Sequence, residues 1–213
     1  MRNFTIINAE QRSDEWFAAR IGRVTGSNAH CILMGEKTAG RNDYILRLAL
    51  ERILGVSEES NFVSKDMQRG IELEVVARYN QELDTGEIIR QTGFLRHNDL
   101  MIGVSLDGDS NDFREIWEFK CPKSTTHLKY LRDVDSLVKE YSAQLMHGLF
   151  ITGAKEAIIC SFDDRFPESI QSSKKCVKRS DLPMGEYEAE LMRFLSQVKE
   201  VETEIKMRAN GLI

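Results

Sequence analysis

The segment at residues 101–122, MIGVSLDGDSNDFREIWEFKCP, constrains the fold of this 213-residue chain more than any other. Each end of it alternates apolar and polar residues, which is typical of β-strands, whose successive side chains point to opposite faces. Between the two ends lie the turn-forming residues GDSND at 108–112. The segment is therefore predicted to fold back on itself as two neighbouring strands.

Three charged residues are carried on this predicted hairpin. Folding back places Glu118 opposite or diagonal to Asp107, and Lys120 shares a face with Glu118 while Trp117 and Phe119 point into apolar packing. Two carboxylates on adjoining strands suit Mg²⁺, which can polarise a phosphodiester while the Lys120 ammonium orients a water or neutralises charge. The pattern predicts a metal-dependent phosphodiester-cleaving site. The alternative is a hairpin whose charged face meets solvent, with Glu118 and Lys120 as an exposed pair of little energetic consequence.

Hydrophobic periodicity predicts the remaining elements. Helices are expected at 42–54, 64–83, 125–134, 136–153 and 185–210. Strands are expected as a meander over 87–97, 100–108 and 113–121, and again at 155–163 and 174–180. Since no linker, repeat or low-complexity tract divides the chain, the sequence predicts one α/β domain over residues 1–213, with a central mixed β-sheet flanked by helices.

Composition sets broader limits. With 41% hydrophobic and 30% charged residues the chain is typical of a globular protein, and it has neither an apolar run long enough for a membrane span nor a secretion signal, so we expect a cytoplasmic location. The four cysteines have no paired spacing and are predicted to be reduced thiols. A net charge of −5 argues against nonspecific wrapping of nucleic acid. Local basic clusters remain candidates for DNA steering: Arg20, Arg23, Arg41 and Arg47, or else Lys174, Lys175, Lys178 and Arg179, which are equally compatible with a solvated strand edge.

The spacing of Asp107, Glu118 and Lys120 resembles the D-x10-E-x-K pattern of the PD-(D/E)XK nuclease superfamily. Four stretches in order resemble, more narrowly, the alkaline exonucleases of the lambda exonuclease type, the YqaJ-like viral recombinase family: DEWFAARIGRVTGS at 14–27, RGIELE at 69–74, SLDG with WEFKCP in the hairpin, and YSAQL at 141–145. This resemblance implies a restriction-endonuclease-like core.

The resemblance also implies roles for individual residues. Asp107 and Glu118, with the backbone carbonyl of Phe119, would be metal ligands, and Lys120 the catalytic lysine. Glu74 matches a helix-borne acidic residue near the metal, and Gln144 matches a glutamine that contacts the attacking water. From the residues alone, Glu74 could equally be a solvent-exposed helix residue, and Gln144 could merely satisfy a buried backbone group.

A 5′-phosphate pocket is the second feature that the resemblance implies. Arg20 and Ser27 match the residues that grip this phosphate, and Trp16 shapes the pocket. From the residues alone, Arg20 could instead complement a helix carboxyl end, and Ser27 could cap a helix. After Pro122 the chain lacks an arginine that lambda exonuclease carries as a second phosphate ligand, and Thr126 or His127 is the expected substitute.

The function that follows is an Mg²⁺-dependent exodeoxyribonuclease, with one or two ions and Mn²⁺ as a substitute. The resemblance implies digestion of one strand of linear duplex DNA from its 5′ end to leave 3′ overhangs, a homotrimeric ring, and a single-strand-annealing recombinase as partner. Two alternatives stay open: a restriction-like or repair endonuclease, and a noncatalytic DNA-end-binding protein.

Overall fold

The computed structural model describes residues 2–59 and 63–212. Within these residues lie eight β-strands: β1 (Phe4–Ile7), β2 (Val24–Thr25), β3 (Phe94–His97), β4 (Ile102–Ser105), β5 (Gly108–Asp109), β6 (Glu115–Lys120), β7 (Glu156–Phe162) and β8 (Ser172–Lys178). The same residues form six α-helices: α1 (Asp14–Arg20), α2 (Ala39–Leu54), α3 (Lys65–Thr85), α4 (Ser124–Arg132), α5 (Val134–Thr152) and α6 (Met184–Ala209). A 3-10 helix, Gly26–Leu33, follows β2.

The strands form two mixed sheets of four strands each. The first has the order β1-β3-β4-β2, in which β2 and β4 are parallel and the other neighbours antiparallel. The second has the order β5-β6-β7-β8, in which β6 and β7 are parallel. The predicted α/β fold with mixed sheet structure and flanking helices is confirmed, and its strands are divided between two sheets.

One stretch of chain links the two sheets. Residues 102–109 leave the first sheet after β4 and enter the second as β5. The predicted meander is therefore present, but its middle strand pairs with β3 through one end and with β6 through the other. The predicted strand at 87–97 begins at Phe94, and its earlier part contributes the isolated bridge between Arg90 and Asp109.

Helix boundaries follow capping signals. The Ser64 side chain accepts a hydrogen bond from the backbone N–H of Met67, which fixes the start of α3. Gly55, Gly86 and Gly153 end α2, α3 and α5 in the left-handed conformation, each with φ near 71°. The predicted helix at 42–54 begins three residues earlier than expected, at Ala39.

Two hydrophobic cores hold these layers together. The larger core lies between both sheets and the helices α2, α5 and α6, and it includes Tyr44, Leu48, Leu145, Leu191 and Phe194. The smaller core lies between α3 and the second sheet and consists of Leu73, Ala77, Ile89, Trp117, Phe119, Cys160 and Phe162. Trp117 and Phe119 thus point into apolar packing as predicted, and the alternation along β6 directs Glu118 to the opposite face, towards α5.

Helix α5 packs against β6 at Gly148. A Cβ atom at Gly148 would stand 2.8 Å from Ile116 Cδ1 and 3.5 Å from Leu106 Cδ2. The missing side chain therefore leaves room for the end of the Ile116 side chain between the helix and the strand that carries Glu118.

The four cysteines are unpaired, as predicted. Within the described parts of the chain, no helix is both long and apolar enough to cross a membrane.

Candidate active site

Asp107 and Glu118 stand opposite each other at the junction between the two sheets. The pairing of Gly108 with Trp117 continues by one residue to bring Asp107 across from Glu118. Asp107 Oδ2 accepts a hydrogen bond of 2.8 Å from the backbone N–H of Phe119. The prediction that the hairpin brings these two carboxylates together is confirmed.

Lys120 and Gln144 converge on Glu118. Lys120 Nζ and Gln144 Nε2 both donate to Glu118 Oε1. Lys120 Nζ also lies 4.8 Å from the centroid of the Tyr141 ring. Since Glu118 is only 5% exposed, the alternative of a solvent-exposed pair of Glu118 and Lys120 is wrong. Gln144 bonds a carboxylate, so its side chain does more than satisfy a backbone group.

Glu74 reaches the same site from α3. Its side chain is half-buried and lines a cavity together with Asp107, Glu118 and Lys120. Burial, reinforced by the negative charge of Asp107, raises the pKa of Glu74 to about 8. The alternative of a simply solvent-exposed Glu74 is therefore wrong.

The site holds more acidic groups than basic ones. Burial and the neighbouring Asp107 raise the pKa of Glu118 to about 8, and burial likewise raises the pKa of Asp107. Burial lowers the pKa of Lys120, but Glu118 and Asp107 outweigh that effect and the net pKa is raised. Lys120 is therefore firmly protonated, and three acidic groups share this one ammonium in a poorly solvated pocket.

This donor set fits a divalent cation. In residues 2–59 and 63–212, no three Asp, Glu, His or Cys side chains converge closely enough to ligate a single ion. The site instead offers the two carboxylates of Asp107 and Glu118, which suits Mg²⁺ because that ion binds through one or two carboxylates and keeps its other positions for water or phosphate oxygens. The ligand roles of Asp107, Glu118, Glu74 and the Phe119 carbonyl stay predictions.

The residues predicted to grip a phosphate lie in the same cavity. The cavity has a volume of about 240 Å³. Its walls combine both predicted sets, the catalytic one and the phosphate-binding one, with several further residues: Trp16, Arg20, Ser27, Glu74, Asp107, Glu118, Lys120 and Gln144, together with Gln11, Arg12, Gly26, Ile71 and Ser105. Residues separated by more than a hundred positions in sequence thus form one pocket.

Arg20 is held in this pocket from two sides. Its guanidinium lies 3.8 Å from the centroid of the Trp16 ring, and Trp16 Nε1 donates a 2.8 Å hydrogen bond to Ser105 Oγ. Arg20 Nε and Nη2 donate to the two carboxylate oxygens of Glu59, each at 2.8 Å. Arg20 is 8% exposed, so it is a fixed, buried cation and more than a helix-end charge.

The backbone around this ion pair is fixed by the buried carboxylate of Glu51. Glu51 accepts hydrogen bonds from the backbone N–H of Gly22 at 2.7 Å and from that of Glu58 at 3.1 Å. One carboxylate therefore ties the chain just after Arg20 to the chain just before Glu59. Sequence reasoning missed Glu51 and Glu59, and no motif marks either residue.

Ser27 stands at the start of the 3-10 helix, beside Thr25. The two hydroxyl oxygens are 3.5 Å apart, and Asn28 Nδ2 lies 3.4 Å from Ser27 Oγ. The hydroxyl of Ser27 therefore faces the cavity as part of a polar cluster that can accept a ligand hydrogen bond.

Several other predicted residues lie elsewhere. Arg41 is fully buried and donates to the Ile32 carbonyl and to Gln197, so its prediction as a DNA-steering residue is wrong. His127 is fully buried, and its two ring nitrogens contact Ser161 Oγ and the Ile170 carbonyl, so it does not replace the absent phosphate ligand. Lys174 and Lys175 lie on the edge strand β8, where they pair with Asp84 and Asp135, respectively. This agrees with a solvated strand edge.

The chain is similar to proteins of one known family. The family model for the YqaJ-like viral recombinase domain matches residues 15–155. The structure is similar to the crystal structure of an alkaline exonuclease, LHK-Exo, from Laribacter hongkongensis, with a TM-score of 0.84 and 33% identity over 94% of this chain and 100% of that one. LHK-Exo in complex with dAMP matches with a TM-score of 0.82 at the same identity and coverage.

A phage-related exonuclease from Haemophilus somnus shares the fold, with a TM-score of 0.69 and 15% identity over 88% of this chain and 96% of that one. No protein with a curated description matches the chain significantly. The predicted restriction-endonuclease-like core is confirmed by the likeness to the alkaline exonuclease. From the matched domain and the 33% identity over nearly its whole length, the chain belongs to the YqaJ-like viral recombinase family.

Proposed function

We propose that this protein is an Mg²⁺-dependent exodeoxyribonuclease that digests one strand of linear duplex DNA from its 5′ end and leaves 3′ overhangs. One observation carries the proposal. The Asp107, Glu118 and Lys120 side chains share a cavity with the phosphate-gripping candidates Arg20 and Ser27. A similar chain, LHK-Exo, is an alkaline exonuclease, and its complex with dAMP supports a 5′-mononucleotide as the class of product.

Asp107 and Glu118 would hold the ion, with the Phe119 carbonyl as a further ligand. When bound, Mg²⁺ polarises the phosphodiester and lowers the pKa of a ligated water. Because Lys120 Nζ donates to Glu118 and lines the cavity, we assign it the role of a fixed donor that orients the water and stabilises charge developing on the phosphate. Gln144 and Tyr141 hold the Glu118 and Lys120 side chains in position.

Arg20 and Ser27 would account for the proposed direction of digestion, from the 5′ end. A 5′-phosphate bound between them would place the first internucleotide linkage near the Asp107 and Glu118 carboxylates, so that hydrolysis releases one nucleotide. The family resemblance adds two further proposals, a homotrimeric ring around the duplex and a single-strand-annealing recombinase that binds the exposed strand.

The test compares three substrates with purified protein and Mg²⁺: a linear duplex with 5′-phosphate ends, the same duplex with 5′-hydroxyl ends, and a covalently closed circle. We expect mononucleotides from the linear duplexes, faster from the phosphorylated one, and an intact circle. A restriction-like or repair endonuclease would cut the circle, and a noncatalytic end-binding protein would leave all three intact.

A further inference from the structure

The catalytic cavity continues into a second, larger cleft. This cleft has a volume of about 430 Å³ and shares Arg12, Ile71, Glu74 and Lys120 with the catalytic cavity. Arg20 and Ser27 line only the first cavity, whereas Arg69 and Arg165 line only the second. The two cavities therefore adjoin at Glu74 and Lys120 and form one continuous groove.

The walls of the second cleft are rich in cations. Five arginine and lysine side chains line it, against two acidic ones, Asp66 and Glu74. One of the five, Lys123, pairs with Asp66, but both side chains are largely exposed, at 72% and 66%, so that pair is weak and easily exchanged. The cleft thus presents several cationic side chains to an anion, of which Arg69, Arg165 and Lys120 are each already paired with a carboxylate.

A fully buried carboxylate positions two of these cations. Asp163 has no exposed surface, and its two oxygens accept bonds of 2.8 Å from Arg165 Nε and Nη2, one of 2.9 Å from Arg69 Nη2 and one of 2.7 Å from Ser124 Oγ. Burial alone would raise the pKa of Asp163, but the bonds from Arg165 and Ser124 hold it well below its usual range. Asp163 is therefore a permanently charged anchor for guanidinium groups from a loop and from α3.

Asp163 anchors Arg165 in the same geometry in which Glu59 anchors Arg20. In both arginines the Nε and Nη2 edge faces a carboxylate, Asp163 for Arg165 and Glu59 for Arg20, and Nη1 lies outside the pairing. An arginine held side-on keeps donors for a second anion, and because its orientation is already fixed it loses little entropy on binding. Arg165 remains about half exposed, so its outer edge is accessible from the cleft.

We infer that Arg165 and Arg69 form a second phosphate subsite, which binds the phosphate immediately 3′ of the scissile linkage on the digested strand. This inference rests on the proposed function. The terminal phosphate then lies at Arg20, the scissile phosphate at Asp107 and Glu118, and the next phosphate at Arg165.

The experiment measures binding without Mg²⁺, so it does not depend on cleavage. Fluorescence anisotropy gives the Kd of duplexes whose 5′ strand carries one neutral methylphosphonate, placed in turn at each of the first five linkages. For the wild-type protein we expect neutralisation of the second linkage to weaken binding roughly tenfold. Arg165→Ala should weaken binding to the unmodified duplex by a similar factor and reduce the slope of log Kd against log salt by about one.

The decisive result is the combination of the two changes. In Arg165→Ala, neutralising the second linkage should have almost no further effect, and Arg69→Ala should show the same coupling. Arg193→Ala is the matched control, because Arg193 is also about half exposed and also paired with a carboxylate, and it should behave as wild type. If the losses in affinity caused by Arg165→Ala and by neutralising the second linkage multiply, the inference is overturned. Coupling that appears only at another linkage, or on the other strand, would also overturn it.

Cleavage assays on the same duplexes separate this inference from the proposed function. If the protein digests no DNA but the arginine substitutions still couple to the second linkage, the proposed nuclease activity is refuted and the phosphate subsite is supported. If digestion is normal but no coupling appears, the phosphate subsite is refuted and the nuclease activity is supported. Thermal unfolding of each variant establishes that the fold is intact.

Discussion

Arg20 presents the Nε and Nη2 edge of its guanidinium to Glu59, with both N–O distances at 2.8 Å, while the face of the group lies on Trp16. The pair is nearly buried, with 8% and 17% of the side chains exposed. Because Glu51 fixes the backbone on both sides, Glu59 orients Arg20 before any DNA arrives. Glu59 is therefore a positioning residue for the proposed 5′-phosphate pocket.

The first prediction concerns this pair. Glu59→Gln should lower the preference for 5′-phosphate over 5′-hydroxyl ends by roughly tenfold, because a charge-assisted bond that orients Arg20 is lost. The ratio of kcat/KM for the two duplexes measures this preference. Glu58→Gln, which changes the exposed neighbouring carboxylate, is the control and should retain the wild-type ratio. A ratio that rises in Glu59→Gln would show that Glu59 competes with the phosphate.

Lys120 is the subject of the second prediction. Lys120→Ala should lower kcat by at least about a hundredfold, because a fixed donor beside the reacting phosphate is removed. Single-turnover digestion of a phosphorylated duplex measures the loss, and circular dichroism establishes that the fold is retained. Lys129→Ala, in which an exposed lysine paired with Glu140 is removed, should digest as wild type. Full activity in Lys120→Ala would exclude the lysine from the mechanism.

The third prediction concerns the ion. Asp107→Asn should weaken binding of Mn²⁺, used in place of Mg²⁺, by at least roughly tenfold, because one of two charged ligands becomes neutral. Isothermal titration calorimetry without DNA gives the affinity. Glu72→Gln, on the exposed side of α3, should bind the ion as wild type does. Equal affinities in the wild-type and Asp107→Asn proteins would place the ion elsewhere.

The fourth prediction is a pH dependence of stability in metal-free protein. Folding raises the pKa of Glu118 and Glu74 from the ordinary 4.5 to about 8, so between these values the folded protein holds more protons than the unfolded chain. The free energy of unfolding should therefore fall as pH rises from about 5 to about 8, by about 1.4 kcal/mol per pH unit for each proton released.

Urea unfolding at several pH values in the presence of a chelator measures that slope. Mg²⁺ should restore most of the lost stability at pH 8, since the ion stabilises the ionised carboxylates. Glu118→Gln should flatten the slope. Stability that rises across this window in the chelated protein would contradict the raised pKa values.

Local sequence pattern was sufficient for the centre of the site. Alternation along residues 101–122 and the turn at 108–112 predicted that Asp107 and Glu118 face each other, and the structure places them so. The division of the strands into two sheets could not be predicted, because an alternating strand has the same pattern whichever sheet it joins. Nor does alternation show that residues 102–109 pass from one sheet to the other.

Long-range ion pairs were the part that sequence could not supply. Glu59 lies 39 residues from Arg20, and their contact depends on the two backbone bonds of Glu51. Arg41 was misassigned because an arginine on an amphipathic helix looks the same in sequence whether it faces solvent or is enclosed by backbone carbonyls and Gln197. Arg165 lies outside every motif, on a loop where its backbone N–H donates a 3.1 Å hydrogen bond to Asp163 Oδ1.

The absent side chain of Gly148 has a consequence for the chemistry one helical turn away. Gln144 donates to Glu118 from the turn of α5 that precedes Gly148. A methyl group at position 148 would occupy the space of the terminal methyl of Ile116, which would have to turn aside to admit it. The packing beneath the catalytic amide therefore depends on how far one neighbouring apolar side chain can yield.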